Sequence, residues 1–250
     1  MSRACFGCFF RDRPEIHPLC NREEIELIES SRPADSLSPH GRARRVPLKR
    51  LLQSRSMWLN CIAQMMTNVG WAFLVTWLPR YLKDVHQVPI EERGLLSSIP
   101  LAVGFFGMLG GGWFTDYLSR RVGTRWGRAL PISLSRFTAM AAYLTCLGNI
   151  DPYLATVAFS VVAFSTDFGS PAIWAFNQDV GGRYVGSVLG WGNMWGNLGA
   201  FALPPLMNWV VGDGYWNHGF LMCAVAFLIS GICALGIDAT IPIAPPDEEQ

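Results

Sequence analysis

The sequence predicts an all-α membrane protein whose chain crosses the bilayer as six helices. Three observations lead there. Half of the 250 residues are hydrophobic and only 16% are charged, where soluble domains carry about a quarter. Six stretches are apolar over roughly the 20 residues a helix needs to cross a ~30 Å hydrocarbon core. Almost none of them shows the polar face that a helix of a soluble bundle carries.

The expected spans are residues 57–82, 95–115, 130–147, 152–176, 185–211 and 218–237. Pro100, Pro171, Pro204 and Pro205 fall inside three of them. Bundled membrane helices tolerate such prolines because neighbours satisfy the freed backbone groups. Together the spans make a bundle over residues 57–240, followed by an acidic cytoplasmic tail, residues 241–250.

Residues 1–56 are a different material, expected to be cytoplasmic. MSRACFGCFF is too short, and too soon interrupted by RDR, for a signal peptide. NREEIELIE reads as a short helix with Asn21 as N-cap and acids in its first turn. SSRPADSLSPHGRARR has the composition of a linker. VPLKRLLQSRS is basic and amphipathic, suited to lying on the inner membrane surface.

Seven cysteines at irregular spacing, four of them (Cys61, Cys146, Cys223, Cys233) inside apolar runs, argue against a disulfide framework. Cys5 and Cys8, with His17 and Cys20, could hold zinc tetrahedrally. Against this, Phe9 and Phe10 adjoin the pair and no second CxxC follows. Neither a metal site nor a cofactor is expected.

Basic residues in loops set orientation. Eleven lie before Ser56, four (Arg120, Arg121, Arg125, Arg128) follow the second span, and Arg183 follows the fourth. The opposite side carries three, Arg80, Lys83 and Arg93, beside Asp84, Glu91 and Glu92. Sixteen against three predicts that both termini are cytoplasmic. These cations do not lie on one folded surface, so no nucleic-acid partner is expected. Trp77, Trp113, Trp126 and Trp216 lie near span ends, where indoles favour the interface.

Small residues recur every four positions: Gly107 and Gly111; Gly182, Gly186 and Gly190; Gly192 and Gly196. That spacing lets helix backbones approach closely in lipid. Polar residues share helix faces as well. Asn60, Gln64, Asn68 and Trp71 follow one face of the first span; Asp167, Ser170 and Trp174 one face of the fourth; Asn193 and Asn197 one face of the fifth. Three such faces suit a wet cavity for a polar solute. The alternative is hydrogen bonding between helices, at about 0.6 kcal/mol each.

Two full charges are expected inside spans, Arg136 in the third and Asp167 in the fourth. Counted from the turn between these spans, they fall within roughly 5 Å of the same depth, which predicts an ion pair or a shared water network. Catalytic signatures are missing: no HExxH, GxSxG or Walker-type glycine loop occurs, and no histidine lies deep in a span. An enzyme is not expected.

GGWFTDYLSRRVGTRWGR, with Gly112, Asp116, Arg120, Arg121, Gly123 and Arg128, resembles the loop signature of the major facilitator superfamily. FLVTWLPRYL, GLLSSIPLAVGFFGMLGGGWFTD and WAFNQDVGGRYVGSVLGWGNMWGNLGAFALPPL resemble the seventh to eleventh helices of its anion:cation symporter branch. FRDRPEIHPLCNREEIELIE resembles the end of the sixth helix and the central loop. The resemblance implies the C-terminal half of a twelve-helix fold built from 3+3 inverted repeats, with the first six helices absent. It also turns CFGCFF into a helix remnant.

The implied function is transport of a small organic anion, such as a hexuronate, aldarate or related sugar acid, coupled to protons or sodium. The implied setting is the plasma or inner membrane, amid lipid, with a separate N-terminal half or a second copy as partner. Gln64, Asn68, Ser170, Trp174 and Asn193 match substrate-facing positions of the family, and Trp71 completes the face of the first span. Asp116 would accept hydrogen bonds from a helix N-terminus of the other half, closing the inner gate. A non-transporting truncated or scaffold membrane protein is the alternative.

Overall fold

The computed structural model describes residues 17, 20–30, 48–148, 150–211 and 214–243. The chain divides into two units, Met1–Arg45 and Val46–Gln250. In the first, α1 (Arg22–Ser30) begins with a reciprocal cap. Asn21 Oδ1 accepts from the Glu24 amide at 2.8 Å, and Glu24 Oε2 accepts from the Asn21 amide at 3.1 Å. This capping box satisfies two amides that a helix start leaves open. Cys5, Cys8 and the linker after Ser30 lie outside the described residues.

In the second unit the regular structure described is all helical: α2 (Leu48–Gln53), α3 (Arg55–Thr76), α4 (Leu78–Asp84), α5 (Ile90–Thr145), α6 (Pro152–Gly181), a 3₁₀ turn (Gly182–Tyr184), α7 (Val185–Val211) and α8 (Trp216–Leu235). Ser54 caps α3, accepting from the Met57 amide at 3.4 Å. The first apolar stretch is not one straight helix: α3 and α4 meet at a 51° bend. Pro79 stands in the first turn of α4, where its missing N–H is tolerated and its ring prevents continuation from α3.

The segment around Asp116, expected to be a loop, is instead helical. Its one break within α5 is Gly123, at φ 81° and ψ 170°. A positive φ costs glycine little and other residues much, so a single residue turns the chain between two helical arms. α5 in full, 56 residues, would be about 84 Å long if straight, far beyond a ~30 Å core.

Among the described helices, α5, α6 and α8 are long and apolar enough to cross a membrane, with a fourth span if the bent α3–α4 pair counts as one. α7 has the length, 27 residues, but is not among them.

Glycines set the helix spacing. A Cβ on Gly107 or Gly111 would collide with the Phe164 or Phe168 carbonyl of α6, and one on Gly199 with the Met65 carbonyl of α3. Gly182, Gly186 and Gly190 face open space, so that second glycine series packs no helix among the described residues. An aromatic core centred on Phe73 joins the bundle. Tyr143, Phe159 and Phe220 lie 5.9, 5.9 and 5.6 Å from it between ring centroids. Buried polar groups pair across helices: Tyr143 Oη donates to Gly70 O at 2.7 Å, and Thr67 Oγ1 lies 2.9 Å from Ser230 Oγ. Trp113 is exposed, but Trp77 and Trp216 are buried, packed edge to face at 6.2 Å.

Candidate functional site

Helical spacing sets Gln64, Thr67, Asn68 and Trp71 along one side of α3. Thr166, Asp167, Ser170 and Trp174 do the same on α6. Together with Met108 and Arg136 of α5, Ile173 of α6 and Asn193 of α7, they line a single cavity of about 240 Å³. The six expected binding positions, Gln64, Asn68, Trp71, Ser170, Trp174 and Asn193, therefore meet in one place, with both span charges among them.

Glycines permit this convergence. Gly192 and Gly196 bring α7 so close to α3 that a Cβ on Gly196 would lie 2.6 Å from Asn68 Nδ2, and one on Gly192 would overlap Gln64 Nε2. Asn60, the first polar residue of the same α3 face, is used elsewhere. It is fully buried and donates to Asn177 Oδ1 at 3.1 Å, which ties α3 to α6. Asn197 is not part of the cavity lining.

Arg136 and Asp167 share the cavity but do not form the expected ion pair: no N–O contact of 4.0 Å or less joins them. Arg136 Nη1 donates instead to the Thr166 carbonyl at 3.0 Å. The Asp167 carboxyl is turned toward Gly104, where any Cβ would overlap Oδ2. Arg136 is fully buried, and its Nε and Nη2 have no hydrogen-bond partner among the described residues; the same holds for Gln64 Nε2 and Thr166 Oγ1. Depth arithmetic along two helices placed both charges at one level, but it carried no information about azimuth.

A larger cavity, about 540 Å³, lies between α5 and α6 and is walled by apolar side chains such as Val103, Leu134, Val161 and Phe164. None of the expected binding residues lines it.

The basic segment flanking Gly123 has specific acid partners. Arg128 pairs with Asp179 at 2.8 Å, and Arg125 approaches Asp238 at 3.7 Å. Hydrogen bonds from Thr240, side chain and backbone, hold the Asp238 carboxyl below the usual carboxylate range, and Arg125 adds to this. Arg121 lies over the Tyr117 ring at 5.5 Å. Asp116 is exposed, and neither it nor Arg120 has a partner among the described residues. Gly112 faces open space.

Sequence reasoning missed four lining residues: Thr67, Met108, Thr166 and Ile173. Thr67 sits three positions after Gln64 on the same face, so periodicity could have found it. Met108 and Thr166 carry no signal of their own.

The model of the Major Facilitator Superfamily matches residues 4–204. The chain belongs to the major facilitator superfamily. Like other members of that family of integral membrane proteins, it is built from apolar helices. Among its relatives is the probable galactarate/D-glucarate transporter of Escherichia coli, 27% identical over 87% of this chain and 50% of the relative. The probable sulfoacetate transporter of Cupriavidus necator is 25% identical over 98% of this chain and 56% of its own. The chloroplastic ascorbate transporter of Arabidopsis thaliana is 27% identical over 88% and 40%. These relatives of the major facilitator chain are transporters, not enzymes. It spans about half the length of the curated relatives it matches.

Proposed function

We propose that this chain forms one half of an alternating-access transporter for a small organic anion of the sugar-acid class. The observation that carries the reading is the meeting of Gln64, Asn68, Trp71, Ser170, Trp174 and Asn193 in one cavity. Amides and hydroxyls suit the hydroxyls of such a solute, and the two indoles suit its carbon chain. The names of relatives, transporters of galactarate/D-glucarate, sulfoacetate and ascorbate, support the same class.

In this reading the chain contributes six spans: the bent α3–α4 pair, the two arms of α5, then α6, α7 and α8, arranged as a 3+3 inverted repeat. It sits in the plasma or inner membrane with both termini cytoplasmic. A separate N-terminal half or a second copy supplies the opposing wall, and a proton or sodium gradient drives uptake. Asp116, exposed and without a partner among the described residues, is the gate acid for a helix N-terminus of that other half.

Uptake of D-glucarate and D-galactarate into vesicles, under a proton or a sodium gradient, tests this. The chain is supplied alone and with a six-span N-terminal half. The proposal predicts gradient-driven uptake when the cavity is opposed by a second half, and loss of it in a Gln64→Ala, Asn193→Ala double variant. No uptake in any combination favours a non-transporting membrane protein.

A further inference from the structure

The cavity carries a surplus of donors that the protein does not satisfy. Four buried polar atoms of its lining lack hydrogen-bond partners among the described residues: Gln64 Nε2, Arg136 Nε and Nη2, and Thr166 Oγ1. The amide and guanidinium nitrogens among them can only donate. A guanidinium with an unbonded edge inside a membrane span is costly, and among the described residues no acceptor bonds that edge.

We infer that Arg136 is the anion anchor of this cavity: its Nε–Nη2 edge receives the carboxylate of a hydroxy acid, and Asp167 accepts from that acid's hydroxyls. The assignment rests on the cavity taking an organic anion, and it does not require that the chain transport one. The Nε and Nη2 hydrogens point side by side, the spacing that matches the two oxygens of a carboxylate. Nη1 is held by the Thr166 carbonyl at 3.0 Å, so the buried Nε–Nη2 edge is the part of the guanidinium without a bond among the described residues. Gly169 gives the group its room: a Cβ there would stand 3.3 Å from Nη1. Gly104 does the same for the Asp167 carboxyl. Gln64 Nε2 and Thr166 Oγ1 supply two further donors from α3 and α6. A ligand with a carboxylate at one end and hydroxyls along its chain answers both charges at once. A neutral polyol leaves Arg136 unmatched, and a plain carboxylic acid leaves Asp167 unmatched.

The test uses the whole chain in lipid nanodiscs and reads quenching of indole emission, since Trp71 and Trp174 line the cavity. Three probes are titrated: D-gluconate; D-glucitol, which has the hydroxylated chain without the carboxylate; and hexanoate, which has the carboxylate without hydroxyls. D-Gluconate is expected to bind at least about tenfold more tightly than either other probe. Arg136→Lys keeps the charge and loses the fork, and it should weaken D-gluconate by about tenfold or more while leaving D-glucitol unchanged. Gly104→Ala crowds the Asp167 carboxyl and leaves Arg136 in place. It should weaken D-gluconate and spare hexanoate, and it decides the matter if Arg136→Lys fails to fold.

D-Gluconate affinity equal in the parent and a folded Arg136→Lys variant overturns the assignment, as does D-glucitol binding as tightly as D-gluconate. Absence of vesicle uptake with this binding pattern intact counts against transport and leaves the anchor standing. Uptake by Arg136→Lys with parental rate and affinity counts against the anchor alone.

Discussion

Arg128 Nε lies 2.8 Å from Asp179 Oδ2 while its Nη1 donates to Ser119 Oγ at 2.9 Å. Ser119 belongs to the α5 arm before Gly123, Arg128 to the arm after it, and Asp179 to the last turns of α6. One guanidinium therefore holds both sides of the hinge and the neighbouring helix. A residue that loop charge counts assign to membrane sidedness has a local structural partner as well.

Arg128→Gln should loosen that hinge. Hydrogen bonds to charged groups contribute about 1.5–3 kcal/mol, so a loss of that order in unfolding free energy is expected, with faster amide exchange around residues 119–128. Asp179→Asn should act in the same direction, and the double variant should cost less than the two single losses added together.

Close helix approach should make adjacent glycines behave differently. Gly111→Ala drives a Cβ into the backbone carbonyl of Phe168, which cannot move aside as a side chain can. Overpacking of this kind costs about 1–3 kcal/mol. Gly112 faces open space, so Gly112→Ala should change thermal unfolding in detergent little. Equal effects at the two positions would contradict the α5–α6 packing.

The fold class was legible because a bilayer demands long apolar stretches and the sequence has them. Breaks were harder to read. The bend at Trp77 has a visible cause in Pro79, yet the residues from Gly110 to Arg128 look like a loop because they are charged. Charge does not stop a helix; the stop is one backbone conformation at Gly123, which composition does not reveal. The cavity was legible face by face, since a period of 3.6 residues aligns Gln64, Asn68 and Trp71. Which faces meet is decided by glycines on other helices, Gly192 and Gly196 among them. Arg136 was harder still. Its depth follows from counting, but whether it turns to Asp167 or to the Thr166 carbonyl depends on side-chain direction.

His86, beyond the end of α4, is held below the usual histidine range, chiefly by burial, while Asp151 pulls the other way. Its Nε2 lies 3.1 Å from Tyr81 Oη. With the folded value depressed, the folded state binds fewer protons than the unfolded chain. The contribution of neutral His86 to stability is then complete above the ordinary value of 6.5 and is lost as pH falls through the lower folded value. An imidazole titration by NMR should find His86 below 6.5, and Asp151→Asn should lower it further. A value at or above the ordinary one would contradict the burial seen here.

The central claim is that the cavity between α3, α5, α6 and α7 takes an organic anion. The most direct measurement is protection from labelling at Asn193, an exposed residue on the cavity wall. In Asn193→Cys the rate of thiol modification, corrected for the parent chain, is measured with D-glucarate or D-glucitol present. Slowing by D-glucarate, several times greater than by D-glucitol at the same concentration, is the predicted result. Identical rates with either compound and with none, at concentrations well above those of ordinary transporter substrates, would contradict the account.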